Sequence, residues 1–175
     1  MKIYSQKFRS VLVLDDNDVI TFQGGLIGFS DETEFVLLQR DQSPRVAWLQ
    51  SVSTPELAVP VISIHQLAFD YPDVPIAGAQ RAEGLGPIDE HSAIMVVLTC
   101  QKGMMPTVNL MAPIIVDSRT RRGAQVLLHG TRFGIRELPH FVPRELTPHE
   151  EPADVDAGMI TVQPSEAYEI ERALS

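Results

Sequence analysis

Residues 107–130 read Thr107-Val-Asn-Leu-Met-Ala-Pro-Ile-Ile-Val-Asp-Ser-Arg-Thr-Arg-Arg-Gly-Ala-Gln-Val-Leu-Leu-His-Gly130. The first half places an apolar residue at every second position, which is the period of a β-strand with one buried face. A turn with three arginines and Gly123 follows, and glycine can adopt the positive φ that tight turns require. Because proline cannot donate a ladder hydrogen bond, Pro113 predicts that the first arm lies at a sheet edge or beside a bulge. The stretch therefore predicts a β-hairpin with apolar arms and a basic turn.

Short β-like segments follow one another along the chain before this hairpin. They lie at Met1–Phe8, Val11–Leu14, Val19–Phe22, Phe35–Gln39, Val46–Ser51, Leu57–Ile62 and Ile94–Cys100. Thirteen prolines and eleven glycines interrupt the chain too often for long helices. We therefore predict one all-β or mostly β, antiparallel domain over residues 1–144, with at most one or two short helices.

Two places are candidates for those short helices. Asp31 and Glu34 have the spacing of a capping box, which predicts a single helical turn before the strand at Phe35. The proline- and glycine-rich connection between Gln66 and Glu90 has room for one more. Both would be minor elements beside the strands.

Residues 145–175 differ from the rest in charge. They hold eight carboxylates against Arg172 alone, a balance of −7 out of a formal net charge of −9 for the whole chain. Prolines and few large apolar residues predict a mobile C-terminal extension. The alternative is a short helix at 165–174, where apolar residues have helical spacing.

The overall charge and the N-terminal sequence limit the partners and the compartment. An acidic chain is a poor general binder of nucleic acid, whose affinity for proteins comes largely from cations at the phosphates, and it suits a basic protein partner better. Charged residues interrupt the N-terminal apolar run, so neither a signal peptide nor a spanning helix is expected. Cys100 is the single cysteine, and we expect it to be buried and inert. These features predict a cytoplasmic protein without membrane contact.

The sequence contains no recognisable motif for catalysis or metal binding. The five histidines are widely spaced, which disfavours a zinc site. The acidic run at 15–18 lacks the glycine and the distal glutamate of a calcium loop, and is better interpreted as a turn. Gln23 stands where a dinucleotide fingerprint needs its first glycine. We predict no enzyme activity and no cofactor, while a barrel that gathers dispersed histidines and carboxylates around a small ligand stays an alternative.

A protein without such motifs would act through its surface. Trp48 and Gln50 share one face of a predicted strand, where the tryptophan is either core or an interface anchor ringed by polar groups. The arginine turn is either a solvated tip or a binding site for a carboxylate-rich partner. The candidate contact residues are Trp48, Gln50, Asn109, Arg119, Arg121 and Arg122.

Four motifs in order resemble those of a known family. They are Phe22-Gln-Gly-Gly-Leu-Ile-Gly-Phe29, Trp48-Leu-Gln-Ser51, Pro55-Glu-Leu-Ala-Val-Pro60 and Thr107-Val-Asn-Leu-Met-Ala-Pro-Ile114. Together with the arginine-rich turn into Gln125, they resemble the flagellar assembly factor FliW over about residues 1–140. The chain departs from that family at Gln23-Gly24, where a proline is usual, and in its extension beyond residue 145.

The resemblance implies a small cytoplasmic β-barrel-like protein without catalytic activity. Its implied partners are flagellin and the RNA-binding translational repressor CsrA. Flagellin would occupy the protein before secretion, and the freed protein would then capture CsrA and relieve repression of flagellin synthesis. CsrA would be antagonised away from its RNA-binding surface, which makes the coupling allosteric.

Overall fold

The computed structural model describes residues 1–40, 43–69, 76, 80, 83–142 and 160–162. Within these residues the chain is built almost entirely of short strands, joined by turns and two 3₁₀ turns at Asp16–Asp18 and Ile64–Gln66. The strands are β1 Lys2–Ser5, β2 Ser10–Val13, β3 Val19–Phe22, β4 Glu34–Arg40, β5 Ala47–Ser51, β6 Ala58–Ser63, β7 Ser92–Thr99, β8 Thr107–Val108, β9 Ile114–Asp117, β10 Arg122–Gln125 and β11 Ile160–Val162.

Seven of these strands close into a barrel. Their order is β4-β3-β10-β9-β7-β6-β5, and β5 pairs again with β4 to complete the ring. Neighbouring strands around the ring are antiparallel, with the exception of the parallel pair β3 and β10. The all-β antiparallel fold predicted from the sequence and the barrel implied by the family resemblance are therefore confirmed, with this one parallel pair in the ring.

The interior of the barrel is filled with apolar side chains. Six of the seven strands contribute to one buried cluster, whose members are Ile20, Phe22, Leu26, Phe35, Leu37, Leu49, Val61, Met95, Ile114 and Val116. The rings of Phe22 and Phe35 meet edge to face at 5.4 Å between centroids. The seventh strand faces this cluster with Gly123, whose missing side chain leaves room for the ring of Phe22. Burial of these side chains stabilises the barrel and fills its interior with apolar atoms.

Further apolar clusters lie outside the barrel interior. The hairpin formed by β1 and β2 packs Ile3 and Leu12 against Val36 and Leu38 of β4. On another side, Ile76 and Leu85 from the connection after β6 cover the outer face of β9 and β10. Ile76 and Gln80, the described residues in the middle of that connection, are helical.

The 107–130 hairpin is present, but its first arm is not a single strand. β9 and β10 pair antiparallel from Ile114 to Asp117, and the same register continues where Leu128 N–H donates to Met111 O at 2.9 Å. β8 instead leaves the hairpin and pairs with β7. Since β9 lies between β7 and β10, the edge position predicted from Pro113 is wrong. Proline is accommodated because it lies just before the strand begins.

The side chains of β9 alternate between its two faces as predicted, but both faces are buried. Ile114 and Val116 point into the barrel, while Ile115 lies in the outer cluster under Ile76 and Leu85. All three isoleucine and valine side chains are therefore buried. A strand that is covered on both faces typically has a continuous run of apolar residues. The sequence Ile114-Ile-Val116 is such a run.

The helical turn predicted at Ser30–Glu34 is absent. Residues 30 and 31 form a turn, and β4 begins at Glu34. The carboxylate of Glu32 accepts hydrogen bonds from Ser51 Oγ at 2.6 Å and Ser53 Oγ at 2.9 Å, and from the hydroxyl of Thr54. These three hydroxyls hold the segment extended against the turn after β5, so tertiary contacts replace the local helix.

These hydroxyls also make stability depend on pH. Hydrogen bonds from Ser51 and then Thr54 lower the pKa of Glu32 below its usual value. The stabilisation is therefore present above the unfolded-state pKa near 4.3 and is lost as the pH falls through the lower folded-state pKa. We expect Glu32→Gln to destabilise the fold at pH 7, because the charged acceptor of these hydrogen bonds is lost. The loss should be only about 1 kcal/mol, since the site is partly exposed and solvent screens the interaction.

Urea titrations between pH 7 and pH 3 would measure this effect. The stability of Glu32→Gln should fall less steeply with decreasing pH below about pH 4.5 than that of the parent. Glu56→Gln, which replaces an exposed glutamate in the turn before β6, is the matched control. Equal pH dependence of the two variants would contradict the proposed role of the hydroxyls.

The C-terminal extension contributes one described element. β11 pairs antiparallel with Leu38–Arg40 of β4, so these three residues form a strand where a mobile segment was expected. The alternative helix at 165–174 lies outside the described residues.

Candidate functional site

The arginine turn between β9 and β10 is held by Asp117, the last residue of β9. The carboxylate of Asp117 accepts hydrogen bonds from the backbone N–H groups of Arg119 at 2.9 Å and Thr120 at 3.2 Å. Arg121 adopts a positive φ of 54°, a conformation in which non-glycine residues are uncommon. The turn is therefore an ordered element and not a loose tip.

Each of the three arginine side chains is engaged by the protein itself. Arg119 donates to the carboxylate of Asp89 at 2.6 Å, Arg121 donates to the carbonyl of Asp18 at 2.7 Å, and Arg122 reaches the carbonyl of Gly84 at 3.5 Å. Arg119 is exposed and the other two are half-buried. The turn joins three remote segments of the chain, so it does not present three unengaged cations to solvent.

Asp89 is the acidic partner of Arg119. A backbone hydrogen bond from His91 lowers the pKa of Asp89, and the charge of Arg119 acts in the same direction. The ion pair with Arg119 is exposed, so it positions the turn more than it stabilises the fold.

A small cavity lies beside the turn. Its volume is about 240 Å³, below the roughly 300–1,000 Å³ typical of small-molecule pockets. The glycine-rich loop forms one wall, and β10 with Glu83 forms the other. Gln125 fixes the loop by accepting from the N–H of Ile27 at 2.8 Å and donating to the carbonyl of Ala112 at 3.1 Å. This loop is a structural element of the barrel rim.

Gln50 does not lie on the surface, which corrects its assignment as an exposed contact. Its side chain is 0% exposed. The amide oxygen accepts from Ser5 Oγ at 2.6 Å, and the amide nitrogen donates to the carbonyls of Ser51 and Leu57, each at 3.0 Å. The strand face that Gln50 shares with Trp48 is covered by β1 and by the turn before β6, which the alternation pattern alone does not reveal.

Trp48 is half-buried beneath other side chains. Its ring meets Phe8 edge to face at 6.2 Å, and the ammonium of Lys7 lies 4.0 Å from the ring centroid. A cation over the face of tryptophan is an attractive contact. Trp48 therefore belongs partly to the core and partly to a surface that Lys7 covers.

Asn109 is separate from both places and has a local role. Its side-chain oxygen accepts from the N–H of Ala112 at 3.1 Å, which closes the turn that follows β8. The candidate residues thus fall into three groups: the arginine turn, the strand β5 and the turn after β8.

The structure adds exposed apolar residues that the sequence did not single out. Tyr4, Val11 and Val13 lie on the outer face of the β1–β2 hairpin, and Val13 is 70% exposed. Met104 and Met105 precede β8, and Met105 is 72% exposed. Exposed apolar groups of this kind are typical of protein-binding surfaces. The alternation of Ile3 and Leu12 with Tyr4 and Val11 was the sequence signal for the first group.

Other chemistry finds little support in the described part of the chain. No group of three or more histidine, cysteine or acidic side chains there could hold a metal ion. Cys100 is exposed, so its predicted burial is wrong, because β7 ends at Thr99 and the chain turns outward. Among the described residues, no helix is long and apolar enough to cross a membrane.

Comparison with known proteins identifies a matching family. The model of the FliW protein family matches residues 2–138. The flagellar assembly factor FliW of Shouchella clausii is 37% identical over 124 residues, covering 70% of this chain and 84% of that protein. The protein of the same name from Bdellovibrio bacteriovorus is 34% identical over 137 residues, covering 78% of each chain.

A solved structure supports the same relationship at the level of the fold. A crystal structure of the flagellar assembly factor FliW superposes with a TM-score of 0.67 at 27% identity. The match covers 83% of this chain and 100% of that one. The match to the family model ends before the acidic extension at 145–175, and β11 lies in that extension.

Proposed function

The chain belongs to the FliW family of flagellar assembly factors, and from this membership we propose that it binds flagellin and CsrA in turn. While flagellin is bound, CsrA is free to repress flagellin translation. After flagellin has been exported, the free protein binds CsrA and relieves the repression. The match over residues 2–138 is the single observation that carries this proposal.

The charge of the chain supports a basic partner. A formal net charge of −9 gives a long-range attraction to an RNA-binding repressor, which carries cations for its nucleic acid. Such attraction accelerates encounter and weakens as salt is added. The captured repressor would be inhibited through a surface other than its RNA-binding face, so the protein does not need to imitate RNA.

The contact residues stay a proposal. Trp48, Asn109, Arg119, Arg121 and Arg122 are retained as proposed contacts, while Gln50 is withdrawn because its side chain is fully buried. Arg119 is the most accessible of the charged candidates, with 53% of its side chain exposed. The exposed apolar residues of the β1–β2 hairpin and of the loop before β8 are further candidates.

Isothermal titration calorimetry with purified flagellin and purified CsrA would test the proposal. We expect both to bind with dissociation constants of about 1 μM or lower, a binding free energy near −8 kcal/mol. Saturation with flagellin should abolish the heat released by CsrA. Failure of both proteins to bind would contradict the proposal, and simultaneous binding of both would contradict the partner switch.

Two other functions are less well supported. A small-ligand barrel needs an interior cavity, whereas this interior is filled by the ten-residue cluster described above. Direct RNA binding by the arginine turn needs available cations, whereas each arginine there is engaged by an acceptor in the protein. RNA retention that falls steeply with salt would revive the second alternative.

A further inference from the structure

One edge of β4 is shared by two strands from opposite ends of the chain. β3 pairs with Glu34–Val36, while β11 pairs with Leu38–Arg40. Because β5 already pairs with residues 35–39 of β4, β11 must lie on the same edge as β3. Both run antiparallel to β4, so they follow one another end to end. The edge beyond β3 would present unpaired backbone groups if β11 were removed, and such groups are a template for strand addition.

The side chains around this edge are cationic and aromatic. The guanidinium of Arg40 lies 4.9 Å from the ring centroid of Phe8, and its Nε is buried with no acceptor among the described atoms. Lys7 covers Trp48, and Trp48 is the β5 partner of Leu38. Arg40 is therefore the cation among the β4 residues that pair with β11, while Lys7 lies over β5, across β4 from β11.

The sequence of the added segment matches these surroundings. Ile160-Thr-Val162 is a run of β-branched residues, which suit a pleated strand. Asp154, Asp156 and Glu166 flank it in the sequence. The segment thus combines backbone pairing to β4 with acidic neighbours in the sequence, whose charge is opposite to that of Arg40.

We propose that the Leu38–Arg40 edge of β4 is a peptide-binding site for an extended, β-branched segment with acidic flanks, and that β11 occupies it as a built-in competitor. A partner segment of this chemistry gains the same backbone hydrogen bonds and must displace β11 to do so. A tethered competitor acts at an effective concentration of roughly millimolar order. Peptides that bind this edge weakly or without specificity therefore do not displace β11. The proposal is independent of the identity of the flagellar partners.

Three forms of the full chain would test the site. The release variant, Ile160→Pro/Thr161→Pro/Val162→Pro, removes every N–H that β11 could donate to the ladder. The control variant, Ile160→Val/Val162→Ile, keeps a β-branched strand. The probe is a fluorescein-labelled peptide with the sequence of residues 154–166, and its binding is measured by fluorescence anisotropy.

We expect the release variant to bind the probe at least about tenfold more tightly than the parent and the control variant, since the competitor is absent. Equal binding to all three forms, or no binding to the release variant at about 1 mM, would overturn the proposal. A probe in which Asp154, Asp156 and Glu166 are replaced by their amides should bind more weakly at low salt, and the difference should vanish in 0.5 M salt, a concentration of the order that screens exposed charges. Equal binding of the two probes at low salt would overturn the acidic specificity.

Amide hydrogen exchange supplies a readout that does not depend on the probe's affinity. The backbone amide of Gln39 faces the β3 and β11 edge, because alternate residues of β4 direct their backbone groups to opposite edges. Its protection should fall in the release variant and return when unlabelled peptide is added. Protection in β5–β7 should stay unchanged, which verifies that the barrel is folded. Unchanged protection of the Gln39 amide in the release variant would show that β11 does not occupy the edge.

Discussion

Gly123→Ala is expected to destabilise the protein by about 2–3 kcal/mol, because it adds a methyl group to a filled interior. A Cβ at this position would lie 2.5 Å from Cζ of Phe22, far closer than two carbon atoms approach without repulsion. Phe22 is 0% exposed and packs edge to face on Phe35, so it has little freedom to move away. The midpoint of urea unfolding, monitored by the fluorescence of Trp48 and by circular dichroism, would measure the loss.

Gly24→Ala is the matched control for this substitution. Gly24 has nothing within 4 Å of the added Cβ and has no positive φ, so its replacement should change stability by less than about 0.5 kcal/mol. Adding Phe22→Leu to Gly123→Ala should recover part of the loss, because the smaller side chain makes room and the two residues are in contact. Equal stability of the Gly123→Ala variant and the parent would contradict the close packing of the barrel.

Gln50→Leu is expected to destabilise the protein by about 2–4 kcal/mol, since it removes the centre of a buried hydrogen-bond network. The hydroxyl of Ser5 is 0% exposed and donates to the amide oxygen of Gln50. Leucine fills a similar volume but leaves this hydroxyl without its acceptor. The carbonyls of Ser51 and Leu57 lose donors in the same substitution. Urea unfolding would again measure the change.

A double-mutant cycle separates the network from simple packing. Ser5→Ala in the Gln50→Leu background removes the stranded hydroxyl, so the double variant should be less destabilised than the sum of the two single variants by about 1 kcal/mol. Strict additivity would show that the two side chains are not coupled. The same variants test whether β1 is fixed to β5 through this contact.

The positions of most strands could be predicted from the sequence. β3 was predicted with its observed bounds, and β4 to β7 were predicted within two residues at each end, because alternation and neighbouring turn residues are local signals. The first predicted strand was too long, since a turn at 6–9 that contains Arg9 at φ 51° ends β1 at Ser5. A positive φ in arginine is imposed by the fold and leaves no mark in the sequence.

The environment of single side chains was harder to predict, because it depends on contacts between residues that are distant in the sequence. Alternation placed Trp48 and Gln50 on one face, yet burial of that face comes from β1, more than forty positions earlier. The basic turn could be recognised in the sequence. The groups that accept hydrogen bonds from its arginines, on Asp18, Gly84 and Asp89, lie between 30 and 103 positions away along the chain. The family motifs indicated the fold, since their order reflects the whole chain, but they did not place these side chains.

The parallel seam between β3 and β10 has a consequence for how the chain folds. Thr21 pairs with Arg122 and Phe22 with Gly123, residues about a hundred positions apart, whereas β4, β5 and β6 are joined by short connections. The meander β4–β5–β6 is thus expected to assemble early, since it closes small loops. Closure of the ring becomes the late event, because it requires both halves of the chain and the insertion of Phe22 over Gly123.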